Sequence, residues 1–291
     1  MPLYKKVIYY IEYQLFRILL VLLRLMLIER AANMSAFLMR KIGPLFNEDK
    51  VARANIRLAL PDLDAHKVDE IMAGVWDNFG RYIGEYAHIE CLSQERFVQL
   101  VELEGVEQVK KLNKPFILCA GHFANWDLMA HISGFFEGQM GIIYRRLNNI
   151  YINEQVKNIR QTANCFMIEK GVQGKAELLK ALKQKHNLAM LVDQKMNEGI
   201  AIDFLGRPAM TAPAIAKFAL KFGYAIIPTQ IIRTHGSKFK VILHPELRFK
   251  KYKDEHKTVL GIMQKINNIL GDWVKARPEQ WFWLHKRWRG D

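Results

Sequence analysis

The 291 residues are half apolar and carry a formal net charge of +14. That much apolar material supports one large α/β domain, or a domain with a helical extension, and the charge favours anionic partners: nucleic acid, acidic lipid, phosphorylated substrate or an acidic carrier protein. Three cysteines, Cys91, Cys119 and Cys165, have neither CxxC nor metal spacing, which suits a reducing compartment.

The most apolar stretch is 7–28, but Glu12, Gln14, Arg17 and Arg24 interrupt it. Its longest uncharged run, 18–23, falls far short of the ~20 residues of a clean membrane span. On a helical wheel Lys6, Tyr13, Arg17 and Arg24 share one side and leucine and isoleucine cover the rest, as in an interfacial helix or a span whose arginines snorkel or pair. An ordinary amphipathic core helix is the competing reading, although the apolar arc is wider than such a helix needs. Residues 33–92 read as helical, with Asp64 capping a long helix that contains Trp76, Phe79 and Tyr82.

Beyond Gly105 the pattern alternates. Strands are expected at 116–120, 140–144, 165–168, 188–192, 225–232 and 239–244. Helices are expected near 126–136, 151–162, 173–184, 211–222 and 255–276. Such alternation predicts an α/β fold, a mixed central sheet covered by helices, with the N-terminal hydrophobic helix associated with a membrane. The expected division is a membrane-associated helix at 1–30 and one further domain at 31–291.

The chain centres on Lys114–Asp127. Phe116 to Ala120 reads as a buried strand, Gly121 permits a tight turn, and Asn125 is placed to cap a helix through Trp126 and Leu128. His122 then sits at a strand-to-helix turn, where open α/β sheets gather their chemistry. Asp127, in the first turn, is placed to hold one imidazole tautomer and leave the other nitrogen free to take a proton. A histidine merely capping a buried strand is the rival reading, because this spacing is weak on its own.

Further polar groups follow the other strands: Tyr144-Arg145-Arg146, Glu169-Lys170-Gly171, Asp193-Gln194-Lys195 and Arg233. Together with His122 they make a polar, basic cleft. Arg145 and Arg233 suit phosphate or carboxylate, since a guanidinium offers a planar fork of donors. Asp193 is suited to orienting an arginine or a substrate hydroxyl, or serves as a turn residue. The turn-rich segment 203–211 leads to a helix for which Thr211 is the expected N-cap. Cys119 lies inside its strand, which argues against a Cys–His hydrolase. There is no P-loop, GxGxxG, GxSxG or HExxH, and hence no predicted metal site. The tail Trp281–Arg289 interleaves aromatic and basic residues, as nucleic-acid-stacking and membrane-interface segments both do, and as a segment that simply packs with a charged edge also does.

Taken in order, these pieces resemble the late acyltransferases of lipid A biosynthesis, the lauroyl/myristoyl transferase family within the lysophospholipid acyltransferase-like superfamily. The resemblance rests on the N-terminal helix, Gly121–Asp127, and Tyr144-Arg145 with Asn149. It continues through Asp193-Gln194, Phe204–Ala209 with Thr211, Arg233 and Pro278–Trp288. Many family members carry glutamate where this chain has Asp127, and proline where it has Arg146 and Ile150. The resemblance implies transfer of a fatty acyl group from acyl carrier protein to a hydroxyl of a lipid A precursor, at the cytoplasmic face of a bacterial inner membrane. His122 and Asp127 are the implied catalytic pair. Arg145, Asn149, Asp193, Gln194 and Arg233 are the implied substrate-binding residues, with no metal, diffusible cofactor or nucleic acid. A glycerophospholipid or other glycolipid acyltransferase is the nearest alternative. A basic nucleic-acid-binding module is a distant one, because it leaves the apolar N-terminus and the histidine turn unexplained.

Overall fold

The computed structural model describes residues 1–162 and 164–288; Arg289, in the aromatic and basic tail, lies outside the described residues. The N-terminal part folds as α1 (Leu3–Arg24), α2 (Ile28–Ile42), α3 (Asn47–Ala59) and α4 (Ala65–Ile89). Asp64 caps α4, accepting from the Lys67 amide at 2.7 Å. Helix α2 runs along α4 at close range, and Gly80 makes this possible: a Cβ there would stand 2.5 Å from the Ala36 Cα.

Helix α1 meets the protein through part of its polar side, Tyr13 and Arg24 being half-buried while Lys6 and Arg17 stay exposed. Arg24 Nε donates to the Ala87 carbonyl at 2.6 Å, and Tyr10 and Tyr13 pack on Tyr151 at 5.7 and 5.9 Å between ring centroids. Only Leu20 and Leu23 are buried, which leaves the leucines and isoleucines of the wide arc in solvent. No helix among the described residues is long and apolar enough to cross a membrane.

The alternating part continues with α5 (Gln94–Leu100), β1 (Val101–Glu104), α6 (Val106–Lys110), β2 (Phe116–Ala120), α7 (Met129–Ile132), β3 (Met140–Tyr144) and α8 (Ile150–Arg160). Then come β4 (Cys165–Glu169), α9 (Lys175–Lys183), β5 (Asn187–Leu191), β6 (Ile200–Phe204), β7 (Arg207–Thr211) and α10 (Ala214–Phe222). The chain finishes with β8 (Ala225–His235), β9 (Lys238–Leu243) and α11 (Glu255–Ala276). Among the described residues, seven strands form one sheet in the order β1-β9-β8-β2-β5-β3-β4, parallel except for the β8–β9 pair. This is the expected mixed sheet covered by helices.

Side chains alternate across β2, so its two faces belong to different cores. Ile117 and Cys119 pack with α9, α10 and α11, whereas Phe116, Leu118 and Ala120 pack with α1, α7 and α8. Full burial of each large apolar side chain stabilises the fold by ~1.5–3 kcal/mol. A central strand buried on both faces therefore makes a rigid base for whatever leaves its end.

Three local expectations change. Strand β1 was not anticipated. The segment 203–211 is a β6–β7 hairpin, in which Leu205 (φ 57°) and Gly206 (φ 79°) both take positive φ. A two-residue turn of that kind normally announces itself as Asn-Gly, and leucine in the first position disguises it. Thr211 consequently ends β7, its hydroxyl donating to the Ala209 carbonyl at 3.0 Å, and does not cap α10. Finally, 126–135 is a short α-helix flanked by 3-10 turns, and Asn125 does not cap it.

Candidate active site

Strands β2 and β5 are parallel neighbours with Ala120 opposite Leu191, so the segments that follow them leave the same sheet edge side by side. The Val192 amide donates to the Ala120 carbonyl at 3.0 Å, which sets His122 against Asp193. The His122 Nδ1 lies 2.7 Å from Asp193 Oδ1, and the His122 amide donates to Oδ2, also at 2.7 Å. A third donor, the Trp281 indole N–H, reaches Oδ2 at 2.7 Å. Asp193 is fully buried. Burial by itself would raise its carboxyl, but the charge of His122 and the hydrogen bonds from the His122 ring and amide hold it well below the usual carboxylate range. An ionised Asp193 fixes the proton on Nδ1 and leaves the lone pair on Nε2, where the Gln194 amide nitrogen lies 3.3 Å away.

Gly121 serves this pair by its lack of bulk. A Cβ at that position would stand 2.9 Å from the Phe123 ring and 3.1 Å from Asp193 Oδ2. The left-handed residue of the turn is Ala124 (φ 48°), held by its amide to the Gln280 carbonyl at 2.9 Å. The Phe282 amide donates to the His122 carbonyl at 3.0 Å, so the C-terminal segment is laced to the histidine turn. Trp126 and Phe282 give the imidazole an aromatic surround, with centroids 5.1 and 6.2 Å away. Next to Asp193, burial pushes His285 down to about 4, so that ring is neutral at neutral pH.

The expected contact between Asp127 and His122 is replaced by another. Asp127 accepts from the Tyr82 hydroxyl at 2.7 Å and pairs with Arg160, Nε to Oδ1 at 2.7 Å and Nη2 to Oδ2 at 3.1 Å. Burial would lower the Arg160 guanidinium, but the Asp127 charge and hydrogen bond together with Tyr82 and Tyr86 leave it raised above its ordinary value. Asp127 thus ties α4 to α8 beneath the turn. Replacing it with asparagine is expected to cost about 3 kcal/mol of stability, because Arg160 loses its counter-charge. Denaturant unfolding measures that loss, and the pH profile of the activity should keep its wild-type shape.

Two more expected substrate contacts are taken by the protein itself. Arg233 is buried and forms a two-pronged pair with Glu85, with Nη2 to Oε2 at 3.1 Å. Its Nε donates to Asn78 Oδ1 at 3.0 Å, Nη1 to the Gly236 carbonyl at 2.8 Å, and the guanidinium lies 4.7 Å from the Phe239 ring centre. Glu85 also accepts from Asn125 Nδ2 at 2.9 Å, which is where the expected helix cap went. Asn149 caps α8, accepting from the amides of Tyr151 and Ile152 at 3.0 and 3.2 Å. Its side-chain amide holds α1 through the Tyr9 carbonyl (2.8 Å) and Glu12 (2.9 Å). Arg145 is exposed just past the end of β3, with β5 between it and the histidine strand.

His122, Asp193 and Gln194 therefore come together, Arg145 shares their sheet edge, and Asp127, Asn149 and Arg233 hold other parts of the framework. Trp281, Glu85, Tyr82 and Arg160 were not foreseen in these roles. In the sequence Trp281 was one of several tail aromatics and Tyr82 one of several on the long helix; the Phe123–Trp281 bridge that sets the tail beside the histidine turn appears only in the structure.

The family model described as bacterial lipid A biosynthesis acyltransferase matches residues 2–290. A lipid A biosynthesis acyltransferase of Shigella flexneri is 22% identical over 252 residues, covering 84% of this chain and 80% of that protein. A phosphatidylinositol mannoside acyltransferase of Mycobacterium tuberculosis is 20% identical over 249 residues, covering 82% of this chain and 77% of that protein. Among solved structures, the 1-acyl-sn-glycerophosphate acyltransferase of Thermotoga maritima aligns with 84% of this chain and all of its own, at 16% identity and a TM-score of 0.40.

Proposed function

The chain belongs to the bacterial lipid A biosynthesis acyltransferase family, and we propose that it transfers a fatty acyl group from acyl carrier protein to a hydroxyl of a lipid A precursor. The observation that carries the reading is the His122–Asp193 pair on adjacent strand ends, which leaves the lone pair on Nε2, beside the Gln194 amide. In this mechanism Nε2 takes the proton of the acceptor hydroxyl as its oxygen attacks the thioester carbonyl carbon. The new C–O bond forms, the C–S bond breaks, and the imidazolium returns its proton to the departing thiolate. Asp193, not Asp127, holds the Nδ1–H and offsets the transient positive charge. Arg145, exposed on the same edge, serves phosphate on the acceptor.

A phosphatidylinositol mannoside acceptor is the second reading, favoured by the mycobacterial relative of nearly equal similarity. Purified protein supplied with acyl carrier protein thioester and either acceptor, with products weighed by mass spectrometry, separates the two. Loss of one acyl group from lipid A in cells lacking the gene is the result that supports the first; an unchanged lipid A pattern contradicts it.

The reading includes attachment to the cytoplasmic face of the inner membrane. Its support is the outward arc of α1, where Leu15, Ile18, Leu22 and Leu25 are 62, 55, 56 and 80% exposed, continued by Phe37, Leu38 and Leu45. Lipid covering such side chains stabilises binding by up to ~1.5–3 kcal/mol each, without a span. Leu15→Ser, Ile18→Ser and Leu22→Ser combined should lower vesicle binding by roughly a hundredfold or more while the melt is unchanged. Co-sedimentation with vesicles at physiological salt checks this, and undiminished binding would sink the attachment surface.

A further inference from the structure

Helix α9 and the rim next to it carry a basic surface that the chemistry above does not use. Lys175, Lys180 and Lys183 are exposed on α9, and Arg146 and Lys170 are exposed past the ends of β3 and β4. No salt bridge among the described residues involves any of these five. The acids nearby are Glu177 on the helix, the exposed Glu154 close to Tyr144, and Glu169, whose Oε1 accepts from the Tyr144 hydroxyl at 3.3 Å. Two apolar side chains stand among the cations, Val172 at 85% and Leu179 at 42% exposed.

We propose that this surface docks the acidic carrier protein that bears the acyl thioester. The proposal rests on the donor assigned above and adds where that donor sits. Unpaired lysines around a few apolar contacts complement an acidic helical protein, which they steer and orient more than they grip. A membrane is the less suited occupant, because α9 lies on the other face of the sheet from α1. Ala181 and Leu182 of α9 belong to one core, and Leu20 and Leu23 of α1 to the opposite one. The separation also fits a tethered thioester. Between β4 and the histidine strand lie β3 and β5, three inter-strand steps or ~14 Å, which a flexible prosthetic arm can span along the sheet edge.

The test is the combined variant Lys175→Glu, Lys180→Glu, Lys183→Glu, in which every replacement is a good helix former. Transfer is measured from acyl carrier protein thioester and from a short acyl-pantetheine thioester, alongside a thermal melt. The expected result is a KM for the carrier raised about tenfold or more, with its salt dependence flattened, and unchanged kinetics with the short thioester. An unchanged KM for the carrier overturns the proposal, as does an equal loss with both donors in a folded variant. Reduced binding to acidic vesicles with normal use of the carrier would assign the surface to lipid instead. If the wild-type protein shows no preference for the carrier over the short thioester, the donor reading itself fails, and that is visible before any variant is made.

Discussion

Asp193→Asn is expected to lower acyl transfer by about 10²–10⁴-fold in a protein that still folds. The carboxylate now receives three donors, two from His122 and one from Trp281, and both of its oxygens are occupied. An amide of the same shape must turn its NH2 towards at least one of those N–H groups. It also withdraws the charge that offsets the imidazolium, and it favours the tautomer with the proton on the wrong nitrogen. His122→Ala should cost at least as much. The two together should cost little more than the worse of the two, since both serve one proton transfer. Steady-state rates for the two single variants and the double, beside thermal melts, check this. A normal rate in folded Asp193→Asn would end the relay, and a large loss confined to Asp127→Asn would return the role to Asp127.

The second large effect is expected at a place that touches no substrate. Glu85 is fully buried and joins Arg233 to Asn125, and through Asn125 to the histidine turn. Gln280 closes the loop, its side chain bonded to the Arg233 amide (2.9 Å) and carbonyl (3.0 Å) and its own carbonyl to the Ala124 amide. Removing one charge from such a pair leaves the other buried without compensation, which costs about 3–5 kcal/mol. Glu85→Gln should therefore lose a large share of the ~5–15 kcal/mol that keeps a typical domain folded. Arg233→Met in the same chain should recover much of that stability, because a buried ion pair is often replaced by apolar side chains at little net cost. Unfolding free energies of the two single variants and the double give the coupling. If Glu85→Gln alone is as stable as the wild type, the pair does not carry the framework.

Arg233 illustrates why some residues were misread. A lone arginine after a strand looks the same in sequence whether its fork meets a phosphate or a buried carboxylate. The partner here, Glu85, is 148 positions away on α4, and nothing near Arg233 signals it. Asn149 was recognisable as a polar residue at a helix start, and its cap is local. Its grip on Tyr9 and Glu12 crosses most of the N-terminal half and leaves no local trace. The β6–β7 hairpin was hidden for a different reason, since its turn puts leucine where asparagine would have advertised a positive φ.

What the sequence determined by itself is what short-range physics controls. Runs of apolar residues at strand length, the cap at Asp64 and the glycine that lets a turn close in are all local. So the strands at 116–120, 140–144 and 225–232, and a histidine at the mouth of one of them, were legible. The tertiary structure alone decided which carboxylate His122 meets. Asp127 is five positions away but leaves the turn toward Tyr82 and Arg160, whereas Asp193, 71 positions away, is delivered by the parallel pairing of β2 with β5. A parallel crossover joins strand ends that no sequence window contains together, and the hydrogen bonds of the ladder then fix their register.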